Sequence, residues 1–383
     1  MKTLCHNLFQ STILVAAAVG LMLAQQGCKS SGDEPDTPPE SRTIIVYMAD
    51  NNDLSVNATA DLNEMQRGMA DVGSGRLIVY QQTRTSNPRL MEIRPDGTHT
   101  VLKNYDPGTP AVSAERMAQV ISDAKSAAPS SKYGIVLWSH ATGWADDKGT
   151  ITEDSKAMQP LSFGADGPSV SKYKRMSVRT LAKALSGNHF DFIYFDCCHM
   201  ATVEVAYELR HLTDRIVASP TELGTDGMPY DEALPYLFAP EPELAKALTA
   251  TFDYYNHSWL PGCCITLINT AAIDRLAAVS REALKQGAAA ERYNHVPYFR
   301  TIVMDSGIYD MHDYFTTLTA TDADLNRRWT EAFNDVVVTS MTTPKVYGLD
   351  ASRFRGLGCN IVSETNPPEK GAYNLTSWYR DVY

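Results

Sequence analysis

The sequence has no surplus of basic charge. Of its 383 residues, 34 are Lys or Arg and 45 are Asp or Glu, a formal net charge of −11. A phosphate polymer is recognised through a basic footprint, so no nucleic-acid partner is expected. Cysteine is scarce. Seven residues are too few to staple a chain of this length as a disulfide scaffold. The N-terminal apolar run Ile13–Ala24 holds 12 residues, short of the roughly 20 that a membrane-spanning helix needs. There is no glycine-rich phosphate loop, no internal repeat and no zinc-ligand spacing. The pairs Cys197-Cys198 and Cys263-Cys264 are adjacent, not chelating Cys-x-x-Cys motifs. What is present is an ordinary globular composition, 44% hydrophobic and 21% charged.

The run Ile13–Ala24 follows Lys2 and reads as a secretory signal over residues 1–27. Gly27 directly before Cys28 is similar to the processing site of bacterial lipoproteins, which makes Cys28 the expected acylated N-terminus, with ordinary secretion the alternative. Residues 28–41 are polar and Pro-rich, with no large apolar side chain, and are expected to form a flexible linker. Removing residues 1–27 takes out Lys2 alone and leaves a charge of −12. Five cysteines then remain in the fold: Cys197, Cys198, Cys263, Cys264 and Cys359. An odd number in an exported protein leaves at least one free thiol.

Apolar, β-branched runs predict strands at 42–48, 76–82, 90–93, 133–138, 190–195, 215–218 and 264–268. Helical spacing predicts helices at 57–70, 112–127, 176–187, 200–212, 242–256, 271–289 and 324–341. Residues 145–175 read as a long loop, and 359–363 and 373–383 as terminal strands or extended segments. Strands alternating with helices predict an α/β fold with a mostly parallel central sheet, whose site lies at the carboxyl ends of the strands. No second linker interrupts residues 42–383, so one domain is expected, with a core at about 42–240 and a C-terminal extension at 241–383.

Two polar breaks follow buried strands at such ends. One is Ser139-His140 after Trp138; the other is Asp196-Cys197-Cys198-His199 after Phe195. A nucleophilic cysteine needs a thiolate or a base to make one, and donors to hold an oxyanion. The predicted helix from residue 200 would set Cys198 at a helix start, where the amides lower a thiol's pKa. Separately, such a His is a common turn residue and such a Cys a common small core side chain.

Together the segments resemble the clostripain-type cysteine peptidases, relatives of caspases, gingipains and legumain. The resemblance rests on IIVYMADNNDL (44–54), YGIVLWSHATGW (133–144), FDFIYFDCCHMATVEVAYEL (190–209) and ASPTELGTDGMPYDEAL (218–234), with GLGCNIVSETNP (356–367) and YNLTSWY (373–379) near the end. It implies a caspase-like α/β/α sandwich and a Cys198–His140 dyad, with Cys198 selected over Cys197 as the second residue after the Asp. It implies an oxyanion hole from the amides of Cys198 and Ala141, where the family usually has Gly at the latter. It also implies a pocket for Arg or Lys built on Asp196 and Asp226, with Glu222 as competitor for the second position.

The expected activity is that of an endopeptidase acting after basic residues of a peptide or protein substrate through a thioester. The rival is a catalytically silent relative that binds peptide or protein through the same cleft. Some relatives cut themselves in the loop after the His, and Lys148, Lys156, Lys172, Lys174 and Arg175 are candidate sites. Some need calcium. No cofactor is required by the motifs, but Asp50, Asp53, Asp146 and Asp147 offer oxygen ligands without EF-hand spacing. A monomer held to the cell envelope by an N-terminal lipid is expected.

Overall fold

The first strand, β1 (Thr43–Asp50), is buried at every residue. Its side chains alternate: Ile44, Val46 and Met48 enter one apolar cluster, and Ile45, Tyr47 and Ala49 enter another. A strand apolar on both sides belongs inside a sheet covered by helices on both faces. This computed structural model describes residues 41–144, 163–169, 172–257, 259–285, 295–298, 307–364, 366–368 and 370–383. They belong to one compact unit. The expected signal, Cys28, Asp146, Asp147, Lys148 and Lys156 lie outside the described residues.

After β1 come α1 (Ser55–Gly68), β2 (Arg76–Thr83), β3 (Arg89–Ile93), β4 (His99–Asn104), α2 (Ala114–Ala127) and β5 (Tyr133–Trp138). The hairpin β6 (Phe163–Asp166) and β7 (Lys174–Met176) follows, then α3 (Val178–Leu185), β8 (Phe192–Asp196), α4 (Val203–Leu209), β9 (Arg215–Ala218), α5 (Tyr230–Leu237) and α6 (Leu244–Tyr255). The remainder comprises β10 (Cys264–Asn269), α7 (Ile273–Leu284), β11 (Tyr309–Asp310), α8 (Met311–Leu318), α9 (Ala323–Val336), β12 (Val337–Thr342), β13 (Lys345–Val346), β14 (Leu349–Asp350), β15 (Gly358–Cys359) and α10 (Ser377–Val382).

The main sheet has nine strands in the order β12-β10-β9-β8-β5-β1-β2-β3-β4. Its centre, β9 to β2, is parallel. The edges are antiparallel: β3 and β4 on one side, β10 and β12 on the other. Met65, Leu234 and Leu248 bring α1, α5 and α6 to one face. Met117, Leu181, Val205, Leu276 and Trp329 bring α2, α3, α4, α7 and α9 to the other. The expected α/β/α sandwich is therefore the observed fold, and β10 and β12 carry the chain beyond residue 240 into the same sheet.

Four expectations fail locally, the first in the loop expected at 145–175, whose described part carries the hairpin β6–β7. The helix expected to run to 341 stops at Val336, and Val337–Thr342 is the strand β12, paired with β10; its β-branched residues favour the extended edge position. The end of the chain is a helix, α10, capped by the Thr376 side chain on the Tyr379 amide. The helix expected from residue 200 begins at Val203, with Thr202 as its cap. Cys198 is thus not at a helix start, and the helix-dipole argument for its reactivity does not apply.

Candidate active site

Strand order puts the two polar breaks side by side. β5 pairs with β8 in parallel, Trp138 opposite Asp196. His140 and Cys198 each lie two residues further on, at the carboxyl ends of adjacent strands, which in a sheet run about 4.8 Å apart. Both line a cavity of about 210 Å³, together with Leu54, Trp138, Asp196, Glu222, Leu223 and Tyr347. The two loops also touch. Gly143 has a φ of 75°, and a Cβ there would lie 2.8 Å from the His199 carbonyl oxygen. Only glycine permits that approach.

His140 is held from behind. Its Nε2 lies 3.0 Å from Asp53 Oδ1, and the same oxygen accepts from the Tyr173 hydroxyl at 2.5 Å. Burial raises the Asp53 pKa, but the bonds from Tyr173 and His140 outweigh it, and the carboxyl sits below its ordinary value. An ionised carboxylate only accepts, so Nε2 carries a proton in this contact.

The backbone beside each partner is tied down as well. Ser139 Oγ donates to the Ala49 carbonyl and accepts from the Ala165 amide. Asn52 Nδ2 donates to the carbonyls of the same two residues, Ala49 and Ala165. The residues just before His140 and just before Asp53 are therefore pinned to the backbone of the same two residues, which holds their loops together.

Cys198 is half-buried and its neighbour Cys197 buried, both as free thiols. Burial pushes the Cys198 thiol up to about 11, against a lowering by the Leu223 amide, which donates to Sγ at 3.4 Å. The thiol at rest is protonated. His199, the next residue, has a φ of 60°, a strained conformation braced by its N–H, which donates to the Thr221 carbonyl, and its ring contact with the Pro220 carbonyl. Ala141 is not among the non-glycine residues with positive φ, so its methyl adds no backbone strain. Among the described residues, neither the Ala141 nor the Cys198 amide donates to a backbone carbonyl.

The pocket wall is acidic. Asp196 is buried, with one oxygen accepting from the Met228 amide at 3.0 Å and the other from the Tyr230 hydroxyl at 2.9 Å. Asp226 stands differently. It is exposed, accepts from the Tyr254 hydroxyl, and is not among the cavity's lining residues, whereas Glu222 is. Sequence reasoning missed Asp61, which accepts from the indole of the pocket residue Trp138 at 2.6 Å. Burial, then the nearby Asp196 charge, raises its carboxyl; burial likewise raises Asp196. The available signal was its place on the buried stripe of α1, Ala58, Asp61, Met65 and Gly68. Tyr173 was missed too, and Asp53 was read only as a calcium ligand.

Two of the four candidate calcium ligands, Asp146 and Asp147, lie outside the described residues. Asp53 is engaged by His140 and Tyr173. Asp50 is buried, accepts from Gln81, and is pushed up to about 8, chiefly by burial. Among the described residues no group of three or more His, Cys, Asp or Glu is placed to hold a metal. Of the candidate self-cleavage residues, Lys174 and Arg175 lie in β7 and Lys172 just before it. Among the described residues no helix is long and apolar enough to cross a membrane.

Comparison with known proteins bears on this site. A model of the clostripain family matches residues 46–346. Among solved structures, the chain is 28% identical to a secreted C11 cysteine protease from Bacteroides thetaiotaomicron in complex with an irreversible peptide inhibitor, over 89% of this chain and 98% of that one, TM-score 0.76. It is 27% identical to an inactive zymogen C11 protease from Parabacteroides distasonis, with the same coverages and TM-score. A further secreted C11 cysteine protease from Bacteroides thetaiotaomicron, "iotapain", shares the fold at 21% identity, TM-score 0.77, over 90% of this chain and all of that one. Comparison with curated protein sequences finds no match.

Proposed function

The chain belongs to the clostripain family of cysteine peptidases, and we propose that Cys198 and His140 form its catalytic dyad and that it cleaves after Arg or Lys. The observation that carries this reading is that both residues line one cavity with the buried Asp196 on its wall.

In the proposed reaction the basic side chain of the substrate enters against Asp196 and Glu222, with Asp226 at the rim. The carboxylate favours a guanidinium, which it grips through two bonds. Cys198 gives its proton to His140 as Sγ attacks the scissile carbonyl. The C–S bond forms and the carbonyl electrons move to oxygen, which the Ala141 and Cys198 amides hold. His140 passes the proton to the leaving amine as the C–N bond breaks, leaving a thioester. Water then adds to the thioester, its proton goes to His140, the C–S bond breaks to release the acid, and His140 returns the proton to Sγ. Asp53 acts through His140 by keeping the proton on Nε2, so that Nδ1 does the transfer.

The protonated thiol held by the Leu223 amide is the resting state in this reading. Leu223 belongs to the loop that shapes the pocket, so substrate binding there reaches the sulfur directly. The silent-relative reading draws on the same high thiol pKa and on likeness to an inactive zymogen. We also propose export with a lipid anchor on Cys28, on the strength of residues 13–28.

An arginine-terminated peptide electrophile tests the site. Under reducing conditions, the adduct should map to Cys198 by mass spectrometry and form far more slowly in His140→Ala. An adduct on Cys197, or none, overturns the assignment.

A further inference from the structure

One feature of the cavity is not explained by the dyad or the acidic wall. Tyr347 lines the same cavity as His140 and Cys198, yet comes from the C-terminal part of the chain. It sits with Gly348 at the tip of a two-residue hairpin between β13 and β14, whose closing pair is Val346 and Leu349. Both tip residues have positive φ, 47° and 81°. That is the turn that favours Asn-Gly or Gly-Gly. A bulky aromatic in the left-handed region is a genuine outlier.

The neighbouring chain holds the strained tip in place. The Tyr347 amide donates to the Pro261 carbonyl at 2.7 Å. Thr343 Oγ1 donates to the Lys345 carbonyl at 2.8 Å. Gly262 lies so close that a Cβ there would overlap the same Lys345 carbonyl. Strain that persists because its surroundings over-determine it points to function. The side chain gains no full burial in return, since Tyr347 remains 47% exposed. Burial of its inner part, with the Glu222 and Asp226 carboxylates adding to it, raises its phenol to about 12. The ring is therefore neutral, and it stands where the nucleophile and the acids of the pocket meet.

We propose that Tyr347 is a specificity-determining wall of the primary pocket, laid against the cationic side chain of the substrate residue before the scissile bond and favouring Arg over Lys. This rests on the proposed basic preference. An aromatic face attracts a cation, and a planar guanidinium stacks on it better than an ammonium does. The acids neutralise the charge from one side while the ring supports the flat group from the other.

The test compares the full-length enzyme with Tyr347→Asn and Tyr347→Phe on peptides differing only in Arg or Lys at the cleaved position. Tyr347→Asn creates the favoured Asn-Gly turn while removing the ring. Its melting temperature should rise by about 1–3 °C as strain is relieved. Its kcat/KM should fall about tenfold on the Arg peptide and less on the Lys peptide. Tyr347→Phe should recover most of the Arg rate. A Tyr347→Asn enzyme with an unchanged Arg-to-Lys ratio overturns the proposal, and so does one whose rates on both peptides fall together with its melting temperature. If the wild type prefers neither Arg nor Lys, the basic preference itself fails and the role of Tyr347 fails with it. The wild-type panel alone shows which of the two has failed.

Discussion

His140 Nε2 and Asp53 Oδ1 are 3.0 Å apart, although 87 residues separate them in the chain. Parallel pairing of β1 with β5 brings their loops together. Asp53→Asn should therefore leave substrate binding nearly intact and lower kcat by about ten- to a hundredfold, within the range of a disturbed general base. Tyr173→Phe, which removes the hydroxyl's bond to the Asp53 carboxylate and the one it accepts from the Asp53 amide, should cost about two- to fivefold. Separate kcat and KM values check both; a loss confined to KM would contradict the positioning role.

The lowered pKa of Asp53 also gives a sign for stability. A carboxylate whose folded pKa lies below its unfolded value contributes stability above the unfolded pKa and loses it as pH falls through the folded one. Any stability gap between wild type and Asp53→Asn should therefore close on acidification below about pH 4. Thermal melts from pH 7 to pH 3 measure it. The group is largely exposed, so the gap is small.

Asp196 works in the opposite sense. Burial raises its pKa, so the folded state keeps a proton that the unfolded state releases, and stability falls as pH rises above about pH 4. Asp196→Asn should leave the protein as stable or more so at pH 7, because no buried charge remains. It should lower kcat/KM on Arg peptides by about a hundredfold. In the wild type, KM for Arg peptides should drop as pH rises from 5 to 7, while KM for an uncharged analogue stays level.

How much of this was legible in the sequence depended on burial. β1, β5 and β8 are continuous apolar runs, and their polar endings exposed His140 and Cys198. The strand β4 is mostly exposed at the sheet edge, so it carries no apolar run to read. The aromatic, β-branched end of the chain reads as extended, but Trp378 and Val382 are buried in the core from a short capped helix. Contacts set by strand order were out of reach. The pairs Asp53–His140 and Asp61–Trp138, and the place of Tyr347 in the cavity, all depend on which strands and hairpins become neighbours.

Gly227 is required by its neighbour. Its φ is 67°, and a Cβ would lie 2.9 Å from Asp196 Oδ2. Gly227→Ala should cost about 1–2 kcal/mol of stability from the left-handed backbone and displace the Asp196 carboxylate. Chemical denaturation should show the first effect, and a raised KM for Arg peptides the second.

Cys197 and Cys198 are adjacent but not equivalent. Burial drives the Cys197 thiol well above its ordinary value and leaves it 4% exposed. Cys197→Ala should retain activity and lose about 1 kcal/mol of stability, whereas Cys198→Ala should abolish cleavage.

The most direct measurement is kcat/KM under reducing conditions on fluorogenic peptides that differ only at the cleaved position: Arg, Lys, or an uncharged residue. Cys198→Ala is the control. The account predicts rapid cleavage after Arg, slower cleavage after Lys, little after the uncharged residue, and none by the control. Cleavage that ignores the charge, persists in Cys198→Ala, or is absent from the wild type would contradict it.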